Sequence, residues 1–355
     1  VSISKVVNGQ GESAWVIDMA TKKYTLSSDY RYIFSKRDGQ FSRWGKAIDD
    51  DPQFSPFGPE ILDIEISTGD CHMVCPWCYK SNSVGNGRHM ALETFKMIID
   101  KLPVTLTQLA LGITDADANP DFISIMRYAR EKGIIPNYTT SGFGITTDIL
   151  DATAELCGAV AVSVYPHNKG LAYKAIREFL SRGMKQVNVH LLYYKENLDF
   201  CYQVLDDYRD CLMPQAHAIV LLGLKPCGRA KNTLTPASSD EFGKLVDYCF
   251  ATQIPVGFDS CSAPKFEKWV ATADLPELDK KQYLKMCEPC ESQCFSTYIN
   301  VDGTVYPCSF TEGIETGISM TGVNNFIADV WESREALRWR KELLDNHRNC
   351  PVYDI

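Results

Sequence analysis

At 355 residues the chain is long enough for one large domain with an appendage, or for two ordinary domains. Its 45% hydrophobic and 23% charged residues are the balance of a soluble globular protein. The formal net charge of -9, with no basic patch interleaved with aromatics, argues against a nucleic-acid partner. No apolar run is long enough to span a bilayer, and Val1-Ser2-Ile3-Ser4 shows no signal-peptide pattern, so no membrane partner is expected. Fourteen cysteines, several in close clusters, point in a chain of this size to bound metal rather than to a disulfide scaffold. The expected location is the cytoplasm, where thiols stay reduced.

Residues 1–59 read as a short β-containing lead. Trp15-Val16-Ile17 and Tyr24-Thr25-Leu26 flank the turn-prone Thr21-Lys22-Lys23. Arg31-Tyr32-Ile33-Phe34 and Gln40-Phe41-Ser42-Arg43-Trp44 flank Lys36-Arg37-Asp38-Gly39, where glycine supplies the positive φ of a hairpin turn. Pro-rich residues 52–59 are expected to be a linker. From Ile61 the pattern alternates. Ile61 to Ile66 reads as a β-branched strand that runs into a cysteine loop, followed by a helix with Leu92, Phe95, Ile99 and Leu102 on one stripe.

Strands are then expected at Leu109–Leu111, Ile135–Thr139, Val160–Val164, Val187–Leu192 and Ala218–Leu222. The intervening helices open after Asn119-Pro120 and run over 147–157, 170–182, 200–212 and 236–252, the last opened by Thr235-Pro236. Six βα units over residues 60–256 predict an α/β fold, a partial (βα)6 TIM-like barrel with a parallel sheet. Residues 257–355 form a C-terminal extension: loop-rich to about 330, with a hairpin signal at Val301-Asp302-Gly303-Thr304 and a last helix at 333–347.

Cys71-His72-Met73-Val74-Cys75-Pro76-Trp77-Cys78 reads C-x3-C-x2-C at the carboxyl end of the first barrel strand, the edge where parallel α/β sheets place their sites. Three thiolates on one loop can hold three irons of a [4Fe–4S] cube and leave the fourth open. A structural zinc site is the plainer alternative, but such sites use four ligands in paired spacings. The spacing, with an aromatic before the last cysteine, resembles the signature of the radical S-adenosylmethionine (SAM) superfamily. That resemblance implies reductive cleavage of SAM to a 5′-deoxyadenosyl radical, with Cys71, Cys75 and Cys78 on the cluster and Trp77 near the adenine.

The resemblance implies further SAM contacts. The family's Gly-Gly-Glu-Pro-like segment corresponds to Gly112-Ile113-Thr114-Asp115, a departure that keeps one glycine and an acid, so Gly112, Thr114 and Asp115 are candidate cofactor-binding residues. Asp117 and Asn119 can equally be a solvated loop with an N-cap. Thr139-Thr140-Ser141-Gly142 resembles the family's Thr-Asn-Gly turn, and Ser163 a serine that faces SAM. His190 lies on the fifth strand, amid Val and Leu, where a hydrogen-bonded core role is the commoner one. Lys225-Pro226-Cys227-Gly228-Arg229-Ala230 resembles a Pro-x-Gly-Arg segment that shapes a loop in relatives with extra clusters.

A second cysteine group comprises Cys261, Cys287, Cys290, Cys294 and Cys308. Cys294 to Cys308 spans the hairpin signal and is similar to the C-x9–15-G-x4-C opening of SPASM and twitch extensions, with its first gap one residue short. Only Cys350 follows, so the resemblance implies one auxiliary [4Fe–4S] cluster, with Cys261, Cys290, Cys294 and Cys308 as ligands and Cys287 as substitute. A zinc site on the same thiols stays open. Cys157, Cys201, Cys211 and Cys249 fall on helix stripes as core thiols.

The expected activity is a radical SAM enzyme that abstracts a substrate hydrogen in peptide or protein side-chain modification. Its cofactors are a [4Fe–4S] cluster, SAM and one auxiliary [4Fe–4S] cluster, fed by an electron donor such as flavodoxin or ferredoxin. The alternatives are a radical SAM dehydrogenase or rearrangement enzyme acting on a small molecule, and a non-catalytic iron–sulfur or zinc-binding protein.

Overall fold

The computed structural model describes residues 1–353. The lead is a five-stranded antiparallel meander in the order β1 (Ser2–Val7), β2 (Ser13–Asp18), β3 (Lys22–Leu26), β4 (Arg31–Ser35), β5 (Phe41–Trp44). Both expected hairpins are present, and the second turns at Gly39, with φ +73°. Strand β1 is an addition, an edge strand that leaves Ile3 and Val7 exposed.

The sheet docks against the amino-terminal ends of the barrel strands. Lys23 Nζ donates to the carbonyls of Val104 and Leu106, and the hydroxyls of Tyr32 and Thr107 lie 3.2 Å apart. The segment expected as a linker is packed rather than loose. Phe57 is buried, Ser55 N donates to Cys294 O, and Thr105 Oγ1 donates to Phe57 O.

Six βα units follow. They are β6 (Ile61–Glu65) and α1 (Leu92–Ile99), β9 (Gln108–Gly112) and α2 (Phe122–Glu131), β10 (Ile135–Thr140) and α3 (Thr147–Leu156), β11 (Val160–Ser163) and α4 (Lys169–Ser181), β12 (Val187–Tyr193) and α5 (Leu198–Arg209), and β13 (Ala218–Gly223) and α6 (Ser239–Ala251). Between β6 and α1, the short pair β7 (Ser67–Thr68) and β8 (Arg88–His89) frames the cysteine loop. Helix α6 starts later than Thr235-Pro236 suggested: Ser238 caps it and shares a reciprocal capping box with Glu241.

A seventh parallel strand, β14 (Val256–Phe258), adds to β13. The sheet stays open, running β14-β13-β12-β11-β10-β9-β6 and onward into the extension. There β15 (Ser296–Ile299) lies parallel to β6, and β16 (Thr304–Tyr306) and β17 (Ile318–Ser319) complete it. The C-terminal extension is therefore built onto the barrel's own sheet. It also holds α7 (Ala263–Thr272) and α8 (Glu277–Met286), where the sequence suggested loop, and α9 (Arg334–Asp345).

Strand alternation separates two environments. Leu62, Ile64, Leu109, Leu111, Val189, Leu191 and Leu221 face the helices, where they meet Phe95, Phe179, Leu205 and Phe242. The opposite face carries Asp63, Asn137, Thr139, Ser163, Asn188 and His190. Ala161, Leu192, Val220 and Leu222 share that face, so the barrel interior sets a few polar groups among apolar ones, as ligand sites commonly do. Cys201 and Cys249 are buried among the helices as expected, and Cys157 is half-buried against Met126. Cys211 departs from expectation: it is exposed, at φ +56°, just beyond α5.

Candidate active site

The loop carrying Cys71, Cys75 and Cys78 leaves the carboxyl edge of the sheet and is tied down from three sides. Below it, Asp115 accepts from the His72 backbone N–H at 3.1 Å, and its Oδ2 lies 2.6 Å from His72 Nδ1. That hydrogen bond raises the His72 pKa, and the imidazole stacks on Phe143 with centroids 4.7 Å apart. Beside it, Asn119 donates to the carbonyls of Ile66 and Met90, which closes the frame around β7 and β8.

The third tie is the Cys227-Gly228-Arg229 turn. The Arg229 N–H donates to Cys78 O, and its guanidinium donates to the carbonyls of Cys75, Ser81 and Asn82. Gly228 has φ +55°, and a Cβ there would lie 2.4 Å from the carbonyl oxygens of both Cys78 and Tyr79. The segment that resembled Pro-x-Gly-Arg thus shapes the cysteine loop directly. Within the loop, Val74 and Ser81 take positive φ, which turns the chain sharply around the three thiols.

The three thiols are half-buried and within electrostatic range of one another. Burial pushes Cys75 up to about 12, with its Cys71 and Cys78 neighbours adding to the shift, and burial likewise raises Cys71. Such thiols ionise only beside positive charge, which iron supplies. Backbone hydrogen bonds from Met73 and Val74 already favour the Cys71 thiolate. Among the described residues, no three His, Cys, Asp or Glu side chains converge tightly enough for a single metal ion. Three thiols on one loop are a donor set that fits an iron–sulfur cluster.

Above the loop, Trp77 meets Tyr165 at 4.9 Å, His167 at 5.6 Å and Tyr194 at 5.9 Å between centroids. His167 Nε2 lies 3.7 Å from Cys75 Sγ. The sequence reading missed Tyr165 and His167; their place directly after β11, at the active edge, was the available signal. Ser163 is buried below them, and its carbonyl and that of Ser141 both accept from Asn168 Nδ2, which joins the ends of β10 and β11.

Gly112 ends β9 where a Cβ would press on Glu65 Cα at 3.1 Å. Thr114 Oγ1, Trp77 Nε1 and Asn188 Oδ1 are buried with no partner in hydrogen-bonding geometry, although the Tyr165 hydroxyl lies near the Trp77 indole. Unsatisfied buried polar atoms are costly, so Thr114 Oγ1, at the carboxyl edge after β9, is a group a polar ligand there could satisfy. The Asp115 carboxylate is directed at His72. His190 faces the lumen, 3.4 Å from Thr139 Oγ1, and burial lowers its pKa to about 4, so it is neutral near pH 7.

In the extension, Cys261, Cys290 and Cys308 come together as expected, but their fourth neighbour is Cys350. Backbone N–H groups reach three of these sulfurs: Ser292 at Cys290, Phe310 at Cys308, and Tyr353 at Cys350. Arg348 donates to the carbonyls of Pro289 and Cys290 and so brings the Cys350 segment in. Cys294 is fully buried in the core between the two sheets, with Tyr30, Tyr32, Phe57 and Phe295, and Cys290 borders the same core within electrostatic range of it. Cys287 caps α8 beside Glu267 and Glu288, apart from the quartet. The signal was in the sequence: twelve residues separate Cys290 from Gly303 and four separate Gly303 from Cys308, within the C-x9–15-G-x4-C form that Cys294 missed.

Between the two thiol groups lies a cavity of about 520 Å³, lined by Tyr79, Lys80, Cys227, Phe310, Glu312 and Tyr353 among others. On its floor Lys80 Nζ lies 3.2 Å from Glu65, donates to Tyr298 Oη at 2.7 Å and pairs with Glu312.

Comparison with known proteins agrees with this geometry. Residues 287–352 match the SPASM family, an iron–sulfur cluster-binding domain. A PqqA peptide cyclase of Ruegeria pomeroyi is 31% identical over 103 residues, 28% of this chain and 27% of that protein. The chain thus aligns with about a quarter of the length of that curated relative.

The fold is shared with Streptococcus suis SuiB bound to the precursor peptide SuiA, at TM-score 0.65 and 12% identity, over 90% of this chain and 89% of that one. It is shared also with anSMEcpe with bound AdoMet and Cp18Cys peptide, at TM-score 0.59 and 13% identity, over 80% and 83% of the two chains. The match to the SPASM iron–sulfur domain is thus carried by sequence, and the likeness to SuiB and anSMEcpe by fold. No described helix is long and apolar enough to cross a membrane.

Proposed function

We propose that the chain is a radical SAM enzyme that modifies peptide or protein side chains. The observation that carries this reading is the loop of Cys71, Cys75 and Cys78, clamped at the open edge of a parallel sheet whose inner face carries Asp63, Asn137, Ser163 and His190. The three thiols would hold a [4Fe–4S] cluster. Trp77, Gly112, Thr114 and Ser163 line the approach for SAM, and Asp115 serves it by fixing the loop through His72. With cluster and SAM bound there, one electron from a donor of the flavodoxin or ferredoxin kind would cleave SAM and give a 5′-deoxyadenosyl radical able to take a substrate hydrogen.

The protein's own part is to position and to exclude water. The Arg229 clamp and the Asp115–His72 bond keep the loop in one geometry. The aromatic group around Trp77 closes the mouth of the lumen. The cavity lined by Tyr79, next to Cys78, and by Phe310, two residues after Cys308, is the place we assign to substrate, and its size suits one side chain with flanking backbone.

The auxiliary cluster sits on Cys261, Cys290, Cys308 and Cys350, where it can bind substrate or accept an electron. Functionally the chain divides into a lead over 1–59, a barrel over 60–256 and a cluster-binding extension over 257–355. A peptide substrate is favoured because PqqA peptide cyclase and the peptide-bound SuiB and anSMEcpe are the proteins this chain is similar to.

The test is anaerobic reconstitution with iron and sulfide, dithionite reduction, and chromatography for 5′-deoxyadenosine after SAM is added. The parent should form it, and a Cys71→Ala, Cys75→Ala, Cys78→Ala triple variant should not. An iron-loaded parent that forms none, with or without a peptide pool, would refute the reading.

A further inference from the structure

The lead has no cysteine, yet one of its side chains reaches the thiol segments of the extension. Arg43, on β5, has a side chain only 3% exposed. Its guanidinium carbon lies 3.4 Å from the ring centroid of Phe295, and its Nη2 lies 3.3 Å from Glu288 and 3.5 Å from Glu291. Those two carboxylates bracket Cys290 in the run Cys287-Glu288-Pro289-Cys290-Glu291. Arg43 Nε lies 3.5 Å from Glu60, which also accepts from the Tyr30 hydroxyl.

A second arginine meets the same groups. Arg348, two residues before Cys350, lies 5.4 Å from the Phe295 ring centroid and 3.9 Å from Glu288, and donates to the carbonyls of Pro289 and Cys290. Phe295 and Glu288 are thus shared between the lead and the Cys350 segment. The backbone is fixed too: Glu60 N donates to Phe295 O at 2.8 Å, and Glu291 O accepts from the N–H groups of Cys294, Phe295 and Ser296. Nη1 and Nη2 of Arg43 have no partner in hydrogen-bonding geometry, so its tie is made by charge and by stacking, both strengthened away from water.

We propose that Arg43 is a positioning residue of the auxiliary cluster, through which the lead sheet holds the Cys290 segment in place. Groups that fix the surroundings of a metal ligand govern how tightly the metal is kept. The lead is on this account part of the cluster site, although it supplies no ligand. The proposal rests on the auxiliary-cluster reading above.

The test uses the full chain in the Cys71→Ala, Cys75→Ala, Cys78→Ala background, where only the auxiliary cluster is left to observe. The variant that decides is Glu288→Gln with Glu291→Gln, which cuts the tie on the extension side, keeps side-chain volume and leaves Arg43 paired with Glu60. It should release iron to a chelator about tenfold faster than its parent, with a changed EPR spectrum of the reduced cluster. Arg43→Lys keeps the charge but loses the plane that lies on Phe295, and should move both readouts the same way. A purely structural role would lower the melting temperature and leave release well below it, and the spectrum, as in the parent. Should the double variant misfold, Arg43→Lys is read in its place. Either readout left at the parent's value in the variant that is read overturns the proposal. Failure of the auxiliary-cluster reading is separately visible, as iron kept after Cys261, Cys290, Cys308 and Cys350 are all replaced by Ala.

Discussion

Arg229 Nη1 lies 3.0 Å from the carbonyl oxygen of Cys75, so a side chain 154 residues away holds the loop that carries the clustered thiols. The neighbouring Gly228 lets the two backbones touch. Arg229→Ala frees the loop carbonyls of Cys75, Ser81 and Asn82, and Gly228→Ala drives a methyl into those of Cys78 and Tyr79. Each should cut deoxyadenosine formation by about 10- to 100-fold, the usual effect of removing a residue that orients metal ligands. Iron analysis should show the loss in the first cluster, with the extension's iron retained.

Cys350 and Cys294 make opposite predictions. Cys350→Ala should lose one cluster's share of iron and leave SAM cleavage partly intact. Cys294→Ala should keep its iron and cost about 1 kcal/mol of stability, the cost of a small void in the core. Iron assays and thermal melts on the two variants distinguish ligand from core thiol.

Trp77 and Tyr165 form the roof over the lumen. Replacing either by Leu removes an aromatic contact worth about 1 kcal/mol and should weaken SAM binding by about fivefold to tenfold. Equilibrium dialysis with labelled SAM on the reconstituted protein measures this.

Asp63 lies on the lumen face of β6, and burial raises its pKa to about 6. An acid held above its ordinary value of about 4 binds its proton more tightly in the folded state, so the parent loses stability as pH rises from about 4 to 6. Asp63→Asn removes that loss. The variant should be more stable than the parent by about 1–2 kcal/mol at pH 8, because partial contact with solvent screens the buried charge. The gap should close near pH 4. Melts across a pH series test the sign.

The barrel was legible because each unit announces itself locally: an apolar run for a strand, a stripe such as Leu92, Phe95 and Ile99 for a helix. The first thiol group was legible because one loop carries all of it. What the sequence hid was set by packing across long separations. Strand β15 pairs with β6 and thereby buries Cys294 against the lead, while Arg348 ties the Cys350 segment to Cys290. Helix α8 buries no side chain, so no apolar stripe marked it. Tyr165 and His167 are ordinary loop residues until the fold sets them beside Trp77.

The most direct test of the central claim is EPR spectroscopy of the dithionite-reduced, reconstituted protein with and without SAM. Binding of SAM at the open iron held by Cys71, Cys75 and Cys78 should change the spectrum of the parent. The triple-alanine variant should retain one cluster signal that SAM leaves untouched. A parent spectrum that SAM does not alter, in protein carrying iron for both clusters, would contradict the account.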